Sequence, residues 1–253
     1  MQETAHGWAQ PCVKWLTPRS RNESPVFEPV SQRLACYDGE LDAEHGRQLI
    51  EWLLAHPHST LVIRSPGGPV TAGLPIGKAI LASRAAVAAF QVCASSCANY
   101  VFGASRRRVI LRDTLVLFHG GVSPNIIERA EQQVRKQLSA GKFAEKVIGQ
   151  SVRSVRMQLE QQLNEQRQLL TEAGVDAEFL ERFDALSDND LSQARCTDRQ
   201  EAAAVYLTKE QFRKLGMPVH GFVIASRRDA TRVLKQLKSA RSVCAAPDKI
   251  VGR

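Results

Sequence analysis

Short apolar runs and helix-period segments alternate along the first half of the chain, separated by turn-forming residues. Residues 33–37 predict a strand, Asp38-Gly39 a turn, and residues 41–55 a helix with Leu49, Ile50, Leu53 and Leu54 on one face. A β-branched strand over 60–64 ends at Ser65-Pro66-Gly67-Gly68 and leads into a helix over 71–84. The run 85–92 predicts the next strand, followed by Cys93-Ala94-Ser95-Ser96-Cys97, a helix to about Gly103, and strands at 107–111 and 114–119. This rhythm of strand, turn and helix with short connections predicts an α/β architecture.

Beyond Pro124 the period changes. Ile127, Ala130, Val134 and Leu138 share a helical face, and after Gly141 so do Ile148, Val152, Val155, Leu159 and Leu163. Dense Gln, Arg, Lys and Glu between them predict a long amphipathic helix or helical pair that packs on the domain or on a partner subunit. Residues 184–190 read as a loop, 206–215 as a turn and short helix, 219–225 as a strand, and 228–237 as a last helix. The organisation expected is an irregular arm over 1–30, which holds Pro11, Pro18, Pro25 and Pro29, and a core over 31–123. A helical extension over 124–190, a C-terminal completion of the core over 191–242 and a tail over 243–253 follow.

A chain of 253 residues with 43% hydrophobic and 24% charged residues is globular and long enough to bury a sizeable core. The net charge of +8 is scattered and aromatics are 6%, which argues against nucleic acid as a partner. No apolar run approaches a bilayer span, and Met1-Gln2-Glu3 opens without the pattern of a signal peptide. Six cysteines, at 12, 36, 93, 97, 196 and 244, fit disulfides in an oxidising compartment or reduced thiols in the cytosol. His56 and His58 lie in a Pro-containing loop without carboxylate or thiol neighbours, so no metal site is expected. Arg106-Arg107-Arg108 reads as a solvated strand entry.

The candidate chemistry lies in three stretches. A serine at the strand-to-helix turn 93–97 presents its hydroxyl beside free N–H groups at a helix start, where negative charge is stabilised. Ser65-Pro66-Gly67-Gly68 reads as a tight turn, or as a place where the backbone approaches a substrate and aims an N–H at a developing oxyanion. His119, ending its strand, is either structural or a base. Cys93 and Cys97 either brace the turn as a disulfide or stay small buried thiols, and Cys97 is also weighed as a nucleophile.

The order and spacing of these stretches change the picture. Residues 63–73, Ile-Arg-Ser-Pro-Gly-Gly-Pro-Val-Thr-Ala-Gly, closely resemble the segment that opens the active site in ClpP-type serine proteases. The resemblance runs from about Arg33 to Gly121, with an echo from Tyr206 to Gly216. Up to the serine the sequence is also similar to signal peptide peptidase A, where a tyrosine follows the serine at the offset of Tyr100 from Ser96. The resemblance implies a ClpP/crotonase-like fold of stacked strand-turn-helix units and a peptidase without a cofactor. Ser96 is then the nucleophile, His119 its general base, and the N–H groups of Gly68 and Cys97 the oxyanion hole, next to Gly67. Ser95 is the rival nucleophile.

The family's orienting aspartate maps to Ala204, and Asp198 or Glu201 would replace it after a shift. A Ser–Lys pair using Lys142 or Lys146 is a second mechanism. A peptide or protein substrate, self-association into a homo-oligomer and delivery by an ATPase or membrane-associated partner belong to the same expectation. The even, serine-flanking cysteines point to the periplasm or another exported compartment, with the cytoplasm as the alternative. A catalytically inactive peptide-binding scaffold is the rival function, and an acyl-CoA enzyme of the crotonase group is weaker because it needs no serine–histidine pair.

Overall fold

The computed structural model describes residues 7–19, 24–194, 196, 204–237 and 242–252. A nine-stranded mixed sheet forms its centre. Strands β1 (Val26–Ser31), β2 (Leu34–Asp38), β3 (Thr60–Ser65) and β4 (Ala86–Ala94) are neighbours, with β1 antiparallel and the others parallel. Helices α2 (Ala43–Ala55) and α3 (Val70–Ser83) supply the parallel connections. Strand β4 pairs first with β5 (Arg107–Ile110) and further on with β6 (Leu115–Phe118). The change occurs at a bulge on Gln91, which has φ +56° and donates its N–H to Thr114 Oγ1 at 2.9 Å.

Both faces of the parallel strands are covered, which is why their sequences run almost continuously apolar. Tyr37, Leu61, Ile63, Val87 and Ala89 face the main core with α2, α3 and the last turns of α5 (Glu145–Glu172). Leu34, Cys36, Val62, Ala88 and Phe90 face the opposite side under α1 (Gln10–Leu16). Beyond the bulge, Leu115 and Leu117 of β6 pack on α8 (Arg227–Gln236). Helix α4 (Pro124–Ala140) and the first half of α5 form a hairpin that leaves Phe143, Val147 and Met157 exposed. No helix among the described residues is long and apolar enough to cross a membrane.

Several expectations are corrected. The supposed irregular arm contains α1 and β1: a Cys12–Cys36 disulfide ties α1 to β2, while Arg19 Nε reaches Asp38 at 3.0 Å. The extension does not separate at residue 190, because Leu169, Leu170, Phe179 and Leu191 belong to the main core. The loop expected over 184–190 is a 3-10 turn, Glu181–Ala185, followed by α6 (Asp188–Gln193), which a Ser187/Asp190 capping box starts. The strand expected over 219–225 is shorter, β8 (Val219–Gly221), and pairs with β5. The short helix expected near 206–215 is α7 (Lys209–Lys214), and β7 (Val205–Tyr206) precedes it. The tail is ordered as β9 (Cys244–Ala245) and α9 (Asp248–Val251), with Cys244 bonded to Cys196.

Arg108 departs most from its predicted exposure. It is buried, and it donates from Nε to Phe102 C=O at 3.1 Å and from its terminal nitrogen to Gly103 C=O at 2.6 Å. Burial lowers the guanidinium pKa to about 10. Arg108 thus closes the C-terminal end of the helical segment that starts beside Ser95.

Candidate active site

The strand-to-helix turn is built from both sides. Strand β4 ends at Ala94, and a π-helical segment runs from Cys97 to Phe102. Ser95 sits between them with φ +58°, a left-handed conformation that a serine adopts at a cost. Its N–H donates to Leu117 C=O of β6 at 3.0 Å, and its own C=O accepts from Asn99 N–H at 2.8 Å. The Cys93–Cys97 disulfide spans it, so Cys97 has no free thiol. A sharp turn that lifts one hydroxyl above a sheet edge is the geometry of a nucleophile elbow.

Ser95, not Ser96, meets the histidine. Ser95 Oγ lies 2.6 Å from His119 Nε2, whereas Ser96 Oγ donates to Gly68 C=O at 2.7 Å. The expected Ser96–His119 pairing is therefore corrected. Ser96 has φ −57° and already belongs to the helix, so its side chain leaves the turn in another direction. The sequence signal for this choice was position: the residue inside the turn, immediately before the first helical one, is the one presented. The offset from Tyr100 points to Ser96, whose hydroxyl is turned to Gly68 instead of His119. The N–H following the presented serine is likewise that of Ser96, one residue before Cys97.

His119 follows the last residue of β6 and is held on three sides. Its Nδ1 faces the carbonyl oxygen of Gly120, and Asn99 Nδ2 donates to its backbone carbonyl at 3.2 Å. An Nδ1–H donated to Gly120 leaves Nε2 as the acceptor for the Ser95 hydroxyl. Burial pushes the imidazole pKa below its ordinary value, and the Gly120 contact opposes that shift. The net direction favours the neutral ring, the form that can accept a proton at Nε2.

Strand β7 is antiparallel to β6, with Phe118 opposite Val205. His119 follows this last pair on one strand, and Ala204 precedes it on the other. Asp198 and Glu201 lie outside the described residues. Lys142 and Lys146 are exposed at the turn of the α4–α5 hairpin, and the Ser95 partner is a histidine.

The glycine turn completes the site. Gly67 has φ +101°, and a Cβ there would fall 2.5 Å from Ser95 Cβ, so only glycine permits this approach. Gly67 N–H donates to Ser65 Oγ at 3.1 Å, while Gly67 C=O accepts from Leu41 N–H at 2.8 Å. The C=O and N–H of a trans peptide point in opposite directions. Anchoring Gly67 C=O on Leu41 therefore turns the Gly68 N–H the other way, where it meets no acceptor among the described residues.

No protein-family model matches the sequence, and no curated protein matches it. Among solved structures, a mutant ClpP1 from Listeria monocytogenes aligns at a TM-score of 0.40 with 16% identity, over 76% of this protein and 92% of that one. Another structure of ClpP1 from Listeria monocytogenes aligns at a TM-score of 0.33 with 20% identity, over 50% and 78%.

Proposed function

We propose that this protein is a serine hydrolase of ClpP-like fold that cleaves peptide bonds through an acyl-enzyme on Ser95. The observation that carries this reading is the 2.6 Å contact between Ser95 Oγ and His119 Nε2 at a left-handed turn. Ser95 Oγ attacks the substrate carbonyl carbon as its proton passes to His119 Nε2. The imidazolium returns that proton to the leaving amine as the C–N bond breaks. Water then gives a proton to Nε2 and attacks the ester, and Ser95 recovers its proton as the acid is released. The N–H groups of Gly68 and Ser96 hold the oxyanion, each contributing on the order of 3 kcal/mol.

Gly120 C=O takes the place of an orienting carboxylate among the described residues. A neutral carbonyl fixes the tautomer but stabilises the imidazolium less than a carboxylate, so turnover is slow. This feature, with an alanine rather than a carboxylate at position 204 beside the Phe118–Val205 pair, favours the second reading, a peptide-binding scaffold that has lost catalysis. Incubation with a mixed peptide library, read by mass spectrometry for the unmodified protein and Ser95→Ala, separates the two. Fragments that depend on Ser95 support the hydrolase. Intact peptides retained equally by both proteins support the scaffold.

The location proposed is an oxidising, exported compartment, supported by three disulfides that pair all six cysteines. Self-association belongs to the same proposal. The exposed Phe143, Val147 and Met157 of the hairpin are the surface a second copy would cover.

A further inference from the structure

Gln166 interrupts an apolar stripe. On α5 the buried positions Leu163, Gln166, Leu169 and Leu170 follow helical spacing, and Gln166 is the one polar side chain among them. It is fully buried, and its bonds converge on two residues. Its Oε1 accepts from Tyr100 Oη–H at 2.9 Å and from Val122 N–H at 3.0 Å, and its Nε2 donates to Val122 C=O at 3.1 Å. One amide therefore pairs with both backbone groups of Val122, as a neighbouring strand would, and at the same time holds Tyr100.

These two partners carry the two halves of the candidate site. Tyr100 lies five residues beyond Ser95 in the helical segment that the turn opens, and Val122 lies three residues beyond His119. Between His119 and Val122 stand only Gly120 and Gly121, a linkage with little conformational restraint of its own. A Cβ on Gly121 would fall 2.1 Å from Gln166 Oε1, so the amide is seated directly against that linkage. An apolar side chain would fill the space at lower desolvation cost, but would fix neither partner.

We infer that Gln166 is a positioning residue that sets His119 relative to Ser95 by tying Val122 and Tyr100 to one amide. The inference rests on the hydrolase reading above. It adds that α5, outside the serine, histidine and glycine segments, supplies part of the precision of the site. A displacement of His119 by a fraction of an ångström lengthens the Ser95 contact and slows proton transfer without altering how a ligand enters.

The test is the kinetics of fluorophosphonate modification, resolved into the apparent binding constant and the maximal rate, across pH. Gln166→Met keeps an unbranched side chain of similar volume and loses all three bonds. The expected result is a maximal rate reduced about tenfold, an unchanged binding constant and a shifted pH midpoint. Leu16→Ala, a cavity under α1 on the opposite face of the sheet, lowers the melting temperature and leaves the maximal rate as it was. If Gln166→Met does not fold, Tyr100→Phe decides, with an expected loss of about threefold. Folded variants with the unmodified protein's rate and pH profile overturn the inference while the hydrolase reading stands. Unmodified protein that takes no label overturns both.

Discussion

Ser96 Oγ donates to Gly68 C=O at 2.7 Å, and this bond joins the helix start to the glycine turn. Ser96 is thus a strut between two parts of the site, while its neighbour Ser95 faces His119 at 2.6 Å. Adjacent serines have different tasks because the backbone changes from left-handed at Ser95 to helical at Ser96. Ser96→Ala is expected to lower stability by about 1 kcal/mol and to leave a labelled, slower protein. A denaturant midpoint and a labelling rate measured on the same preparation check this.

In the proposed mechanism the neutral imidazole is the base, so the rate of serine modification should be flat near pH 7 and fall as pH decreases. Because burial lowers the His119 pKa, the midpoint lies below the ordinary 6.5. A midpoint at or above that value would mean that a negative charge beside the ring outweighs burial.

Ala204 is the position at which a charge can be added. Ala204→Asp would add a carboxylate next to the Phe118–Val205 pair that His119 follows, favour the imidazolium and raise the midpoint by about one unit. The pH profile of labelling measures it, and an unchanged midpoint would show that residue 204 does not address the ring.

Two of the three disulfides should separate stability from reactivity. In the loop-closure picture, removing Cys93–Cys97, four residues apart, costs about 2 kcal/mol, and removing Cys12–Cys36, 24 residues apart, costs about 3 kcal/mol. The kinetic order is the reverse. Cys93→Ala/Cys97→Ala releases the Ser95 turn and lowers the labelling rate about tenfold, while Cys12→Ala/Cys36→Ala leaves it within about twofold. Equal labelling by the two double variants would remove the Cys93–Cys97 bridge from the account.

Arg64 and Asp38, one position before Ser65 and at the end of β2, form a buried two-point ion pair at 2.7 Å. Arg64→Leu leaves Asp38 buried with the Arg19 contact only, and should cost about 3–5 kcal/mol in urea unfolding.

Much of this arrangement was legible in the sequence. The β-branched run at 60–64 and the apolar run at 85–92 announced two of the strands, and Gly67-Gly68 and His119 lie on either side of Ser95 in the candidate site. What was not legible depended on contacts distant in sequence. The first 30 residues look irregular because their prolines hide α1 and β1, whose order comes from Cys12–Cys36 and Arg19–Asp38. Arg108 reads as solvated because no carboxylate accompanies it; its partners are the carbonyls of Phe102 and Gly103. Ser95 and Ser96 are chemically identical in the sequence. Only the backbone angle at the turn distinguishes them.

The most direct test of the central claim is intact mass after exposure to a fluorophosphonate probe, for the unmodified protein and for Ser95→Ala, Ser96→Ala and His119→Ala. The account predicts one adduct on the unmodified protein and on Ser96→Ala, none on Ser95→Ala, and strongly slowed labelling of His119→Ala. An adduct that persists in Ser95→Ala and disappears in Ser96→Ala, or no adduct on correctly folded unmodified protein, would contradict it.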